Sequence, residues 1–217
     1  MSNIVWWQLV LACIVSYLIG NVSVARVIAN KKNADITKLG SGNPGSTNIL
    51  RNFGFKLGFL NLLLDMLKGV VPTLVFFFLF KKSEVVLYIC GLSVMLGHMY
   101  PVLFGFKGGK GIATMLGVFL VANPLVTIVV ILIAALSWLC FEYGSVASFL
   151  CVTIMTVVEG LKAKSLPSTE SRIVCLCLFL IFVFTWFAHR GNIERLLYGK
   201  ENKVSLIKKV KRAGSKK

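Results

Sequence analysis

Acid is the scarcest chemistry in this sequence: eight aspartates and glutamates stand against 24 lysines and arginines in 217 residues. Asp65, Glu142, Glu194 and Glu201 are too scattered to build a carboxylate metal site, and only two histidines exist, His98 and His189. No catalytic metal and no cofactor is therefore expected. The six cysteines, Cys13, Cys90, Cys140, Cys151, Cys175 and Cys177, form no C-x-x-C pair and all lie in apolar runs. They read as small hydrophobes, and neither a disulfide framework nor a zinc site is supported. There is no strand-like alternation of apolar and polar residues, which excludes a membrane β-barrel. No internal repeat is visible. The first apolar run is preceded by no charged segment and followed by no small-residue cleavage site, so it is expected to be a retained span rather than a leader.

Long apolar runs are what the chain has instead. Hydrophobic residues make up 57% of it and the mean hydropathy is +0.82, too apolar for a domain dissolved in water. The bilayer is the expected solvent, and helices are the expected spans, because each backbone donor must be satisfied within its own segment. The reading is an all-α integral membrane protein, a bundle of about seven transmembrane helices. The segments expected are residues 4–28, 57–80, 84–104, 111–122, 124–141, 145–160 and 172–188. The fourth and sixth fall short of the roughly 20 residues a full crossing needs, so they are tilted, partly unwound, or begin inside the protein.

The net charge of +16 suggests nucleic acid until its distribution is read. The basic residues cluster between apolar runs and in the tail, as cytoplasmic loops require. With the N-terminus outside, eighteen basic residues face inward and five, Lys81, Lys82, Lys162, Lys164 and Arg172, face outward; Lys68 is left within a span. A cytoplasmic C-terminus follows. The expected division is a membrane-embedded domain over 1–202 and a basic cytoplasmic tail over 203–217. That tail either follows the positive-inside rule alone or binds anionic lipid.

Three polar stretches then share the inner face. In "LGSGNPGSTNILRNFG", residues 39–54, glycines allow close approach of backbone N–H groups to an anion, and Arg51 offers a planar fork to phosphate. Thr47 or Asn48 is expected to cap a helix running into the second span. In "GHMYPVLFGFKGGKGIAT", residues 97–114, Lys107 and Lys110 bracket Gly108 and Gly109, and a helix N-terminus follows. This is not a Walker A loop: it is one residue short and no Ser or Thr follows Lys110. It suits a phosphate rather than a nucleotide, with snorkelling to the interface as the other reading of the lysines. In "HRGNIERLLYGKEN", residues 189–202, His189 and Asn192 share one helical face, and Glu201 is expected to pair with a nearby base. Asn43, Thr47, Asn48, Lys107, Gly108, Gly109 and Gly111 make the candidate phosphate-binding set. Asp65 and Lys68, three residues apart inside a span, are expected to neutralise each other. Gly108→Ala is expected to crowd the phosphate and raise the KM for it.

Together "GSGNPGSTN…R", "GH…P…F…FKGGKGIAT" and "HRGNIERLLYGKE" resemble the three signatures of the bacterial acyl-phosphate:glycerol-3-phosphate acyltransferase family, in the family's order, over residues 4–202. The resemblance implies an inner-membrane enzyme of the opening step of phospholipid synthesis, with its site facing the cytoplasm. It implies transfer of an acyl group from acyl phosphate to the 1-hydroxyl of glycerol 3-phosphate. By motif position Ser41 and Arg51 are similar to the family's essential serine and arginine, Gly108, Gly109 and Lys110 to its phosphate loop, His189 and Asn192 to its functional pair, and Glu201 to a structural glutamate. Ser46 departs from the pattern, where alanine is usual. From the residues, the proton acceptor is open among Ser41 acting as a nucleophile, His189 as a base and the departing phosphate; direct transfer with Ser41 as a hydrogen-bonding positioner is favoured. The rival class is a multi-span transporter or a binder of a phosphorylated lipid or metabolite, against which stand the missing repeat and the one-sided polar chemistry.

Overall fold

The computed structural model describes residues 6–205. Residues 206–217, most of the expected basic tail, and the first residues of the expected first span lie outside the described residues. Among the described residues there is no strand. The α-helices are α1 (Trp6–Gly20), α2 (Val24–Asn30), α3 (Ser46–Phe53), α4 (Phe55–Leu79), α5 (Glu84–Met99), α6 (Ile112–Ala122), α7 (Pro124–Phe141), α8 (Gly144–Ala163), α9 (Ser168–Ala188) and α10 (Arg190–Leu197). Six segments are long and apolar enough to cross a bilayer, and α6 is an eleven-residue apolar helix besides. The multi-pass helical bundle expected from the apolar runs is present.

Two boundaries differ from expectation, while the short fourth segment, α6, is present as expected. The first span breaks at Asn21–Ser23 into α1 and α2. A broken helix frees carbonyls that lipid cannot satisfy. Here Val22 O accepts from Lys68 Nζ at 2.8 Å, and Asn21 Nδ2 donates to Tyr17 O at 2.7 Å. The sixth segment is a full 20-residue helix, α8, rather than a short one. The short α6 is only about 16 Å long, half a bilayer core. It begins low in the bundle: a side chain on Gly69 would strike Thr114 O, and Gly69 lies roughly 20 Å along α4 from its start. The loop before α6 folds back inward to reach that depth.

Packing is backbone to backbone at two crossings. A Cβ on Gly97 would meet Tyr17 O, and one on Gly117 would meet Met66 O, so α1 lies hard against α5 and α4 against α6. Small residues permit this approach, which is how helices hold together where lipid supplies no hydrophobic drive between them. The central core joins α5, α6, α8 and α9 through Leu87, Tyr88, Met95, Phe119, Met155 and Ile181. Outward faces of α4 and α7 present Leu63, Leu67, Leu125 and Leu132, suited to lipid contact. At the end of the bundle away from the 39–54 loop, buried Glu159 accepts from Tyr88 Oη at 2.6 Å and Asn123 Nδ2 at 2.9 Å. That ties the α6–α7 turn to α5 and α8.

Candidate functional site

The loop before α3 is built around one buried side chain. Asn48 Oδ1 accepts from the Ser41 N–H at 3.1 Å, and its Nδ2 donates to Leu39 O at 2.9 Å and Ile36 O at 3.3 Å. Gly40 sits at φ +56°, and a Cβ there would collide with Asn48, so glycine is required. The expected cap is therefore corrected: α3 is a separate short helix whose N-cap is Gly45, with no side-chain capping bond, and Asn48 holds the loop rather than ending a helix. α4 starts anew at Phe55 after Gly54.

The second stretch is also corrected. Gly108 N–H donates to Met99 O and Gly109 N–H to His98 O, both at 3.1 Å, so these amides are committed to the end of α5. A Cβ on Gly108 would strike His98 O and Pro101, and one on Gly109 would strike the His98 ring. Both glycines are close-packing residues that seat the loop. Lys107 is exposed and lies outside the cavity; its carbonyl accepts from Arg26 Nη2 at 2.8 Å. Lys110 alone of the two lysines points inward, donating from Nζ to Asn192 Oδ1.

From Lys110 the polar contacts run on into the third stretch. Asn192 Nδ2 donates to Glu201 Oε1 at 2.7 Å, Ser145 Oγ donates to the same oxygen at 3.1 Å, and Arg195 Nε pairs with Glu201 Oε2 at 2.9 Å. The base that Glu201 was expected to find is Arg195. The Asp65–Lys68 pair is present at 2.9 Å, and His98 Nδ1 stands 3.8 Å from Asp65 Oδ1.

One cavity of about 430 Å³ collects these groups. Ser41, Asn43, Thr47, Asn48, Arg51, Asp65, Lys110, Gly111, His189, Asn192 and Glu201 all line it; Lys107, Gly108, Gly109 and Lys68 do not. Sequence reasoning missed Ser145, Arg195, His98 and Trp138 among the lining. Arg195 carried a signal, since it follows Asn192 at i+3 on the face already assigned. Ser145 and Trp138 carried none, being single residues beside apolar runs. The polar part opens into an apolar furrow lined by Phe59, Leu62, Leu116, Ile131, Ala134 and Cys151.

The electrostatics favour an anion. Arg51, Lys110 and Arg195 face the cavity, with Glu201 opposing them and the charge of Asp65 offset by Lys68. Burial, then Arg195 and Arg51, lower Lys110 from 10.5 to about 8, with Glu201 acting the other way. Burial likewise holds the Arg51 guanidinium below its ordinary value, though it stays charged. His189 is lowered to about 4 by burial and by Lys110. Its Nδ1 lies 2.8 Å from Thr185 O, which only accepts, so Nδ1 carries the proton and Nε2 offers a lone pair. The segment after α10 closes one side: Trp138 Nε1 donates to Val204 O at 3.0 Å, and Val204 N–H donates to Glu142 O at 2.9 Å. Among the described residues no cluster of His, Cys, Asp or Glu has the makings of a metal site.

A helical membrane bundle in which a cation-lined pocket runs into an apolar furrow can receive an amphiphile with an anionic head. Comparison with known proteins narrows that class. Residues 10–199 match the family model for glycerol-3-phosphate acyltransferase. Glycerol-3-phosphate acyltransferases of Aquifex aeolicus and Finegoldia magna are 38% and 36% identical over 193 and 198 residues, spanning 88% and 90% of this chain and 96% of each relative. That of Neisseria meningitidis is 39% identical over 197 residues, 89% of this chain and 96% of the relative. Crystal structures of PlsY (YgiH), an integral membrane glycerol 3-phosphate acyltransferase, share the fold. The glycerol 3-phosphate form aligns with TM-score 0.83 at 37% identity over 93% of this chain and 98% of that one. The lysophosphatidic acid form aligns with TM-score 0.80 at 38% identity over 92% and 97%. The chain belongs to the glycerol-3-phosphate acyltransferase family, and it is a membrane acyltransferase.

Proposed function

We propose that this protein transfers a fatty acyl group from acyl phosphate to the 1-hydroxyl of glycerol 3-phosphate, releasing inorganic phosphate and 1-acyl-glycerol 3-phosphate, with no covalent acyl-enzyme. The observation that carries this is the single cavity in which Arg51 and Lys110 meet an apolar furrow. Two phosphate-bearing reactants bring up to about four negative charges, which Arg51, Lys110 and Arg195, the last shared with Glu201, offset in part. The furrow between α4, α6, α7 and α8 receives the acyl chain from the bilayer. The cavity faces the cytoplasm of a plasma or inner membrane, in keeping with the basic residues at its end of the chain.

The donor is a mixed anhydride and already activated, so positioning and charge neutralisation supply most of the catalysis. The glycerol hydroxyl oxygen attacks the acyl carbon, the bond from that carbon to the phosphate oxygen breaks, and phosphate departs. A histidine lowered to about 4 is a poor base at neutral pH. A phosphate with a second pKa of about 6 is a better acceptor, and it takes the hydroxyl proton as it leaves. His189 Nε2 accepts a hydrogen bond that orients the hydroxyl. Ser41 has no base within its described contacts; its N–H is held by Asn48, and its hydroxyl positions a substrate oxygen.

The test uses the full chain in detergent with labelled glycerol 3-phosphate and either acyl phosphate or an acyl thioester. Labelled lysophospholipid is expected from acyl phosphate alone. Label from the thioester alone would overturn the donor assignment. Trapping a radiolabelled acyl group on the protein, lost in Ser41→Ala, would overturn the direct mechanism.

A further inference from the structure

Ser46, the residue that breaks the motif pattern, has a function available to it that alanine lacks. It is the first residue of α3, half-buried, and lines the cavity beside Thr47 and Arg51. Behind it stands Asn61 of α4, fully buried. Asn61 Nδ2 donates to Asp65 Oδ2 and to Ser46 Oγ, each at 2.8 Å. Which end of the amide faces these partners is dictated by Asp65. Its carboxylate, ion-paired with Lys68, only accepts hydrogen bonds, so the NH2 group must face it. The second hydrogen of that NH2 then occupies a lone pair on Ser46 Oγ. The serine hydroxyl is thereby an acceptor toward the protein, and its own hydrogen is taken by no protein acceptor among the described contacts. The chain Lys68–Asp65–Asn61–Ser46 fixes the hydroxyl oxygen and leaves a donor at the wall of the cavity.

We infer that Ser46 donates a hydrogen bond to a phosphate oxygen of a bound substrate, joining Arg51 and Lys110, with Asn61 as the positioning residue that presents it. This deepens the proposed acyl transfer and rests on it for the identity of the ligand. The chemistry is shared by the phosphomonoester of glycerol 3-phosphate and by the phosphate of acyl phosphate, so the experiment separates the two.

Steady-state kinetics are measured for wild type, Ser46→Ala and Ser46→Thr with each substrate varied in turn. Loss of a neutral donor to a charged oxygen is worth about ten-fold or more in affinity. Ser46→Ala is expected to raise one KM about ten-fold with kcat changed less than about two-fold, and Ser46→Thr, which keeps the hydroxyl, to restore it. A rise for glycerol 3-phosphate alone assigns the contact to the acceptor, and a rise for acyl phosphate alone assigns it to the donor. A hydroxyl that only satisfies Asn61 would lower the thermal midpoint in Ser46→Ala while leaving both KM values unchanged, and that result overturns the inference. Calorimetric binding of glycerol 3-phosphate and of inorganic phosphate to the same proteins needs no turnover. If wild type binds phosphate but transfers no acyl group, the proposed reaction fails; about ten-fold weaker binding by Ser46→Ala would still uphold the hydroxyl's role, and equal binding would refute it.

Discussion

Raising the pH should weaken substrate capture well before it slows the bound complex. Lys110 in the free enzyme titrates at about 8, because its ammonium is buried beside Arg195 and Arg51. Below that pH it is charged and offers its ammonium to the phosphate of the proposed reaction. Above it the charge is lost, so kcat/KM should fall about ten-fold per pH unit from 8 upward, since this ratio follows the free enzyme. A bound phosphate reverses the balance. One negative charge about 4 Å away is worth about 4 kcal/mol at an effective dielectric of 20. That is roughly three pH units, enough to return the bound Lys110 to its ordinary range. The kcat should therefore stay level to about pH 10. The phosphate's own second ionisation, near 6, is complete before the break and cannot produce it. The assay is release of labelled lysophospholipid between pH 6.5 and 10, corrected for spontaneous hydrolysis of acyl phosphate. Lys110→Arg cannot be deprotonated in this range, so whatever its residual rate, its break near 8 should vanish. A kcat/KM flat through pH 10, or a kcat that falls in step with it, would refute the assignment of Lys110 as the anion's partner.

Three further outcomes follow from packing. Gly108→Ala should raise the KM for glycerol 3-phosphate by displacing the loop that carries Lys110, because the new methyl meets His98 O and Pro101; a normal KM with a normal thermal midpoint would contradict this seating of the loop. Lys68→Met leaves Asp65 buried and unpaired, at a cost of about 3–5 kcal/mol, and should lower the thermal midpoint by on the order of 10 °C, whereas Asp65→Asn combined with Lys68→Met should lower it less. Ala134→Trp fills the furrow and should raise the KM for long-chain acyl phosphate at least ten-fold while leaving short-chain donors and glycerol 3-phosphate near their wild-type values, as titration of donors of graded length would show.

Much of this was legible in the sequence because lipid makes hydrophobic length a strong signal. Runs such as 57–80 and 172–188 read directly as spans, and the three polar stretches stood out against them. Asp65 and Lys68 could be paired by spacing alone, since a lone charge in such a run is costly. What stayed hidden depends on contacts between distant segments. At the break after Gly20, Val22 O is satisfied by Lys68 Nζ, 46 residues further on, so that partner cannot be read from the local sequence. Gly108 and Gly109 look like anion-binding glycines until their amides are found on Met99 O and His98 O. Lys107 and Lys110 differ only in which way a folded-back loop turns them. Apolar residues lining the furrow, Ala134 and Cys151 among them, are indistinguishable by type from those facing lipid.

The bonds from Val204 to Glu142 and Trp138 bear on how this protein is handled at the bench. They pin the polypeptide beside Trp138, which lines the cavity, so a purification tag fused directly after residue 205 would start at the cavity's edge. Trp6 begins α1 at the bundle's opposite end, since the α1 terminus at Gly20 packs on Gly97 near the site. A tag on that side would leave the rim clear, and a shortened version ending at 202 would sever the pin that keeps the Trp138 indole in place.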